Sequence, residues 1–425
     1  MLNLNFFIMR KQHLFFSLMM LAVIFLIGFN SCKEDEPVDL TLVSLEAGDI
    51  DLNAATAPDD VPVDPEIVAT FSTDVDPATA TSANITMLQV WDNTNVDLTI
   101  TVSGKTITIV PVTDLCTGSQ YLLNLNAGLL STEGKKLMPL TRSFYTAGTF
   151  APAGAIAHWT FEDNANDVIG DFDPTPNGIV GITYTESRNA EAGKAATFDG
   201  DISIIEIPNG DQLIDAQDFT ISFWVKTNSA GHTGGHFVLG IGAFYGIGYE
   251  IYSGYDGSKF GIRFELADGG TASDDMWFPS LATDNTTGGW QGWDYAKSLT
   301  TEQMTALLKD TWLHVAYTFD GTTKQAILYF NGVKMKSFDF DLWPDGDAKR
   351  NVVGMTFAGV APEVTNDFVF GFFESRASTL WDSESWGNYD NPDANHFKGQ
   401  LDDVRIFHKA LTATGIDLMY QSEKP

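Results

Sequence analysis

Phe219-Thr-Ile-Ser-Phe-Trp-Val-Lys226 alternates in a way that only an extended chain explains. A period of two sends successive side chains to opposite faces, so Phe219, Ile221, Phe223 and Val225 share one face. Thr220, Ser222, Trp224 and Lys226 share the other, and the expectation is a strand with one face packed and one presented. WLHVAYTFDG, from Trp312, repeats the pattern: Leu313, Val315, Tyr317 and Phe319 fall together, with Trp312, His314 and Thr318 opposite. ATFDG, ending at Gly200, and LYFNG, from Leu328, stop at Asp-Gly or Asn-Gly, which are hairpin signals. HWTFED from His158 and FKGQLDDVRIF from Phe397 frame the set, and the C-terminal two thirds reads as all-β.

In this order the six phrases resemble the laminin-G-like, concanavalin A-like (LamG) lectin family over about residues 155 to 420. The resemblance implies a jelly-roll β-sandwich and is far more specific for fold than for ligand. A second unit precedes it, with short alternating runs at Ile67, Leu98, Thr106, Tyr121 and Arg142. These read as a β-sandwich of immunoglobulin size. The order VPVDPEIVATFSTDVDPAT, TITIVPVTDL, GSQYLLNLNAGLLSTEGKKL and SFYTAG is similar to bacterial Ig-like domains, which serve as spacers in surface proteins. The expected organisation is a signal peptide (1–31), an acidic tether (32–37), an Ig-like domain (38–148), a linker (149–154) and the LamG-like domain (155–425). Two short helices are expected within the last, SLTTEQMTALLKD capped by Thr300 or Thr301, and LTATGIDLMYQSE from Leu411.

The leader carries Arg10, Lys11 and His13 ahead of an apolar run, Leu14 to Phe29, that ends in Asn30-Ser31-Cys32. That run is shorter than the roughly 20 residues needed to span a bilayer, and it reads as a secretory signal. It resembles a bacterial lipoprotein signal, although Phe29 stands where Leu is usual. The resemblance implies acylation of Cys32 and anchoring in the outer membrane. Lys33-Glu34-Asp35-Glu36 resembles the surface-export signal of Bacteroidota lipoproteins. With Cys32 acylated, Cys116 would be the other of two cysteines, without an intrachain disulfide partner and expected as a small buried apolar residue.

Over 425 residues the formal charge is −32, from 56 acidic and 24 basic side chains. That balance excludes nucleic acid and favours neutral or cationic ligands. Acid-rich loops also make calcium a candidate structural cofactor. Concanavalin-type sandwiches often hold one where first and last strands meet, and LDDVRIF resembles the closing strand of bacterial laminarinases of this fold. The resemblance puts the metal on Asp402, with Glu162 or Asp163 adding oxygen from the opening strand.

Five of the ten tryptophans, Trp277, Trp290, Trp293, Trp381 and Trp386, lie in two polar insertions, DDMWFPSLATDNTTGGWQGWDYAK and STLWDSESWGNYDNPDANHF. Indole faces stack on the CH-rich faces of sugars while Asp, Asn and Gln meet hydroxyls, so this mixture is what a carbohydrate site needs. The alternative is that such insertions bury their own rings as satellite cores. Trp290, Trp293 and Trp386 stand foremost, because Gly288, Gly289, Gly292 and Gly387 place them at exposed tips.

Catalysis in this fold would need paired carboxylates. No E-x-D-x-x-E run is present, and Glu265 and Glu374 stand alone. Lyases of the fold use clustered Tyr, His and Arg or Gln on strands, whereas His232, His236 and His396 read as loop residues. No catalytic residue is assigned. The function expected is glycan binding by a surface lipoprotein, with adhesion to a protein partner as the alternative and a cryptic glycosidase or lyase third.

Overall fold

The computed structural model describes residues 39–279 and 292–425. The leader with Cys32 and the insertion residue Trp290 therefore lie outside the described residues.

The N-terminal unit is a sandwich of two antiparallel sheets. One contains Leu42–Ala47, Ile67–Phe71, Thr106–Pro111 and Leu98–Ser103; the other contains Ile85–Gln89, Gln120–Leu125 and Leu140–Tyr145. In Ile67–Phe71 buried and half-buried residues alternate, and Ile67, Ala69 and Phe71 join Ile107, Ile109, Leu123 and Phe144 in one core. The alternation is the period of two at work: inward side chains interdigitate between the sheets and outward ones meet water. Cys116 is buried as expected, its thiol 3.3 Å from Gln89 Oε1.

The C-terminal unit is a larger sandwich of a nine-stranded and an eight-stranded antiparallel sheet. Asp218–Thr227 lies in the middle of the nine-stranded sheet between Leu313–Asp320 and Lys398–Phe407. Phe219, Ile221, Phe223 and Val225 enter the core between the sheets, and so do Leu313, Val315, Tyr317 and Phe319. The packed half of the parity reading holds. The presented half does not: Thr220, Ser222, Trp224, His314 and Thr318 are buried too, and Lys226 and Trp312 are half-buried. A helix, Ala413–Glu423, covers this outer face, so both faces of the sheet are packed. Thr412 caps that helix, and Thr300 with Gln303 forms a capping box for the second expected one, Thr301–Leu308.

The two sandwiches meet on the same covered face. Trp91 of the first unit packs edge-on against Phe150 at 5.4 Å, joining a cluster with Tyr329, Phe407, Leu411, Ile416 and Met419. The outer face of the eight-stranded sheet is left on the far side of the molecule.

Candidate functional site

Four neighbouring strands of the eight-stranded sheet, His236–Gly240, Ile247–Ile251, Ser258–Leu266 and Thr271–Phe278, build the site. Their inward residues, among them Val238, Tyr249, Phe260 and Met276, fill the core. Registration then fixes what stands outward. One row across the strands reads Phe237, Glu250, Lys259 and Trp277; the next reads Gly240, Gly248, Gly261 and Asp275. Those glycines leave a trough that the turn Ala243–Tyr245 occupies. A Cβ on Gly248 would stand 2.8 Å from Ala243 Cα, and one on Gly261 would stand 3.2 Å from the Phe244 nitrogen. Only glycine lets the turn lie this close to the sheet, and the turn in turn sets Phe244 beside the charged row.

The segment between Phe368–Phe370 and Lys398–Phe407 folds over the same face. Phe372, Phe373 and Ala394 pack with Phe237, Ile204 and Val369 in a small separate core, against which Trp381 and Tyr389 lean. Trp381 and Trp386 stand 4.9 Å apart, with Phe244 and Phe373 at 6.0 and 6.1 Å from Trp381 and Phe237 at 6.1 Å from Trp386. Together with Glu250, Lys259 and Asp275 they enclose a pocket of about 220 Å³. Lys259 lies 3.5 Å from Glu250 and 3.4 Å from Asp275, and 4.7 Å from the centre of the Trp277 ring. Burial raises the Glu250 ionisation and Lys259 opposes it. Trp386 and Trp277 are 39% and 48% exposed, large values for indole.

Three of the five expected tryptophans thus reach one face, Trp381 and Trp386 in the pocket and Trp277 beside it. Trp381 also takes part in the satellite core, so both readings of the insertion apply to it. Trp293 is a correction: it packs 3.9 Å from Trp343 and 5.9 Å from Phe338, against the main core rather than at a tip. Trp290 lies outside the described residues. Phe237, Phe244, Phe373, Glu250, Lys259 and Asp275 were not singled out from the sequence. Gly248 and Gly261 inside strand patterns were the available signal, since a glycine there marks close backbone approach.

The residues expected to hold calcium are engaged by other side chains. Asp402 is buried, but its partners are Ser187 and Arg188, at 2.5 Å from the Arg188 guanidinium. Arg188 also bonds Asp403, which His158 and Arg405 reach at 2.8 and 3.1 Å. Burial and the Asp403 charge push Asp402 up to about 8. Burial acts upward on Asp403 too, but Arg405, His158 and Arg188 together hold it well below the carboxylate range. Glu162 accepts from the Lys194 backbone N–H, and Asp163 pairs with Lys194 Nζ at 2.6 Å on an exposed edge. Among the described residues no group of three or more His, Cys, Asp or Glu side chains converges as a metal site. A donor set already neutralised by two arginines does not fit a hard divalent cation.

Of the lone acids, Glu265 is exposed and Glu374 is buried, where burial raises it to about 8 despite the Trp381 backbone amide. His236 is not a loop residue; it opens the strand His236–Gly240, buried, stacked 4.4 Å from His232 and bonded to Tyr255. Burial and then His232 lower its ionisation to about 3.

Residues 199–364 match the family model of the concanavalin A-like lectin/glucanases superfamily, and residues 50–147 match that of a bacterial Ig-like domain. Comparison with curated proteins returned no match. Among solved structures, the binding domain of Paraclostridial Mosquitocidal Protein 1 is similar at 15% identity and TM-score 0.37, covering 63% of this chain and 52% of that one. The Botulinum neurotoxin serotype G binding domain is similar at 15% identity and TM-score 0.38, covering 63% and 50%. This chain spans about half the length of both. Domain 4 of AbnA, a GH43 extracellular arabinanase from Geobacillus stearothermophilus solved with arabinotriose, is similar at 22% identity and TM-score 0.35, covering 63% and 98%.

Proposed function

From a chain that carries a bacterial Ig-like domain followed by a concanavalin A-like domain, we propose carbohydrate binding on the open face of the eight-stranded sheet. The observation that carries the proposal is the pocket itself: two indoles and three phenyl rings beside a Glu250–Lys259–Asp275 row. Aromatic walls take the CH faces of a sugar ring, and charged groups at the rim take its hydroxyls. The Trp381 indole N–H, buried and without a partner among the described residues, is available to a ligand oxygen.

The remaining chain supports presentation of that face. The leader up to Cys32 has the charge and apolar pattern of a lipoprotein signal, which would tether the protein to the outer membrane with its surface exposed. The Ig-like domain docks beside the helix Ala413–Glu423, on the covered side, and serves as a spacer. The matched domains are of binding type, and the role is recognition of a glycan rather than its cleavage.

The test is calorimetric titration of the protein with a panel of neutral and acidic oligosaccharides and polysaccharides. Saturable binding to at least one member is expected. Absence of binding to every member, with capture of a surface protein that Trp386→Ala leaves intact, would replace the proposal with the adhesion reading.

A further inference from the structure

We infer that this pocket selects a single sugar unit bearing no acid group and excludes uronates and sulfated sugars, an inference that rests on the carbohydrate reading above. Two carboxylates, Glu250 and Asp275, share one ammonium, Lys259, so the row facing the ligand sums to one negative charge. Among the described residues no other basic side chain lines the pocket. Arg263, the next cation along the strand Ser258–Leu266, stands beyond Gly261 and is not part of the lining. The segment that supplies both indoles adds Asp382, Glu384, Asp390 and Asp393 and contains no Lys or Arg between Trp381 and His396.

A carboxylate on the ligand would therefore meet uncompensated negative charge in a half-enclosed site, where water screens it less than at an open surface. Lys259 cannot turn to it without leaving Glu250 and Asp275 unpaired. Hydroxyls meet no such cost, since carboxylates accept from them directly. Size narrows the ligand further. About 220 Å³ lies below the roughly 300–1,000 Å³ of pockets that enclose drug-sized molecules, leaving room for one ring of a chain.

The overall charge of −32 also repels polyanions, and the experiment has to separate that field from the pocket. The probes are short oligomers of glucose, galactose and mannose and the uronate oligomers of matching ring stereochemistry, titrated at 0.15 and 0.5 M NaCl, where long-range repulsion is progressively screened. A neutral oligomer is expected to bind at least about tenfold more tightly than its uronate counterpart at both salts. The variant Glu250→Gln/Asp275→Asn, which removes two charges from a large total and frees Lys259, is expected to close or reverse that gap. Unchanged thermal unfolding shows that the fold persists in the variant, and the ratio of neutral to uronate affinity, not either affinity alone, is the quantity compared. Equal or tighter uronate binding by the parent protein overturns the inference and leaves the carbohydrate reading standing. A gap that the variant does not alter, or that vanishes at high salt, assigns selectivity to the overall field and likewise overturns it. Binding of no oligomer in either class overturns the carbohydrate reading itself.

Discussion

The two outer faces of the concanavalin A-like sandwich use the same kinds of residue and put them to opposite ends. On the nine-stranded sheet, Trp224, His314, Arg188, Arg405, Asp402 and Asp403 lie under the last helix, whose Glu423 joins them, and the polar groups are spent on one another. Trp224 donates to Glu423 at 2.9 Å and lies 4.8 Å beneath the Arg188 guanidinium. On the eight-stranded sheet, Trp277, Trp381, Trp386, Lys259, Glu250 and Asp275 are gathered around and beside a pocket, and Trp277 and Trp386 remain exposed. The difference lies in what covers each face, not in composition. A cluster of Trp, acid and base on a strand is a stability device when a helix closes it and a candidate binding site when nothing does.

Breaking the closed face should produce the largest change. Arg188 is the shared partner of Asp402 and Asp403, and Arg188→Met would leave the buried Asp402 and the half-buried Asp403 short of positive charge. A loss of about 3–5 kcal/mol in urea unfolding is expected, with glycan affinity retained wherever the variant is folded. A loss below about 1 kcal/mol would show that the covered network does not stabilise the fold.

Behind the open face, Glu374 gives the comparison a pH dependence. Its folded-state ionisation sits near 8, above the usual 4.5, because burial disfavours the charge; Asp382 adds to the rise and the Trp381 amide opposes it. The native state thus keeps a proton that the unfolded chain releases. The stabilisation is complete below about pH 4.5 and is lost as pH rises towards 8, at up to about 1.4 kcal/mol per pH unit. Glu374→Gln should flatten the fall in stability between pH 5 and 7. An identical fall in parent and variant would mean that another group sets the slope.

The smallest effect is expected from metal. Chelator or added calcium should move the thermal midpoint by less than about 1 °C, since Arg188 already neutralises Asp402. A calcium-dependent rise of several degrees would restore a metal to one of the two faces.

Much of the sandwich was legible in the sequence, because period-two alternation and Asp-Gly or Asn-Gly turns are local signals. The helix cap at Thr300 was legible for the same reason. Trp381 and Trp386 could be picked from the makeup of their insertion. Glu250, Lys259 and Asp275 could not, because strand register alone brings them into adjacent rows. Arg188 escaped notice because it lies 214 residues from the acid it neutralises, in a stretch with no strand pattern. Trp293 was misplaced because the ring it packs on, Trp343, belongs to a distant segment. What failed in each case was contact between elements far apart in the chain.

The claim that function resides on the open face is tested most directly by one titration series. The best-binding neutral oligosaccharide is titrated into the parent protein, Trp381→Ala/Trp386→Ala and Tyr420→Ala, the last removing a ring that stacks on Trp224 at 5.9 Å on the covered face. Loss of the two pocket indoles should weaken binding by about 1–3 kcal/mol or abolish it, while Tyr420→Ala leaves affinity unchanged. Full affinity in the double variant, or loss confined to Tyr420→Ala, would contradict the assignment.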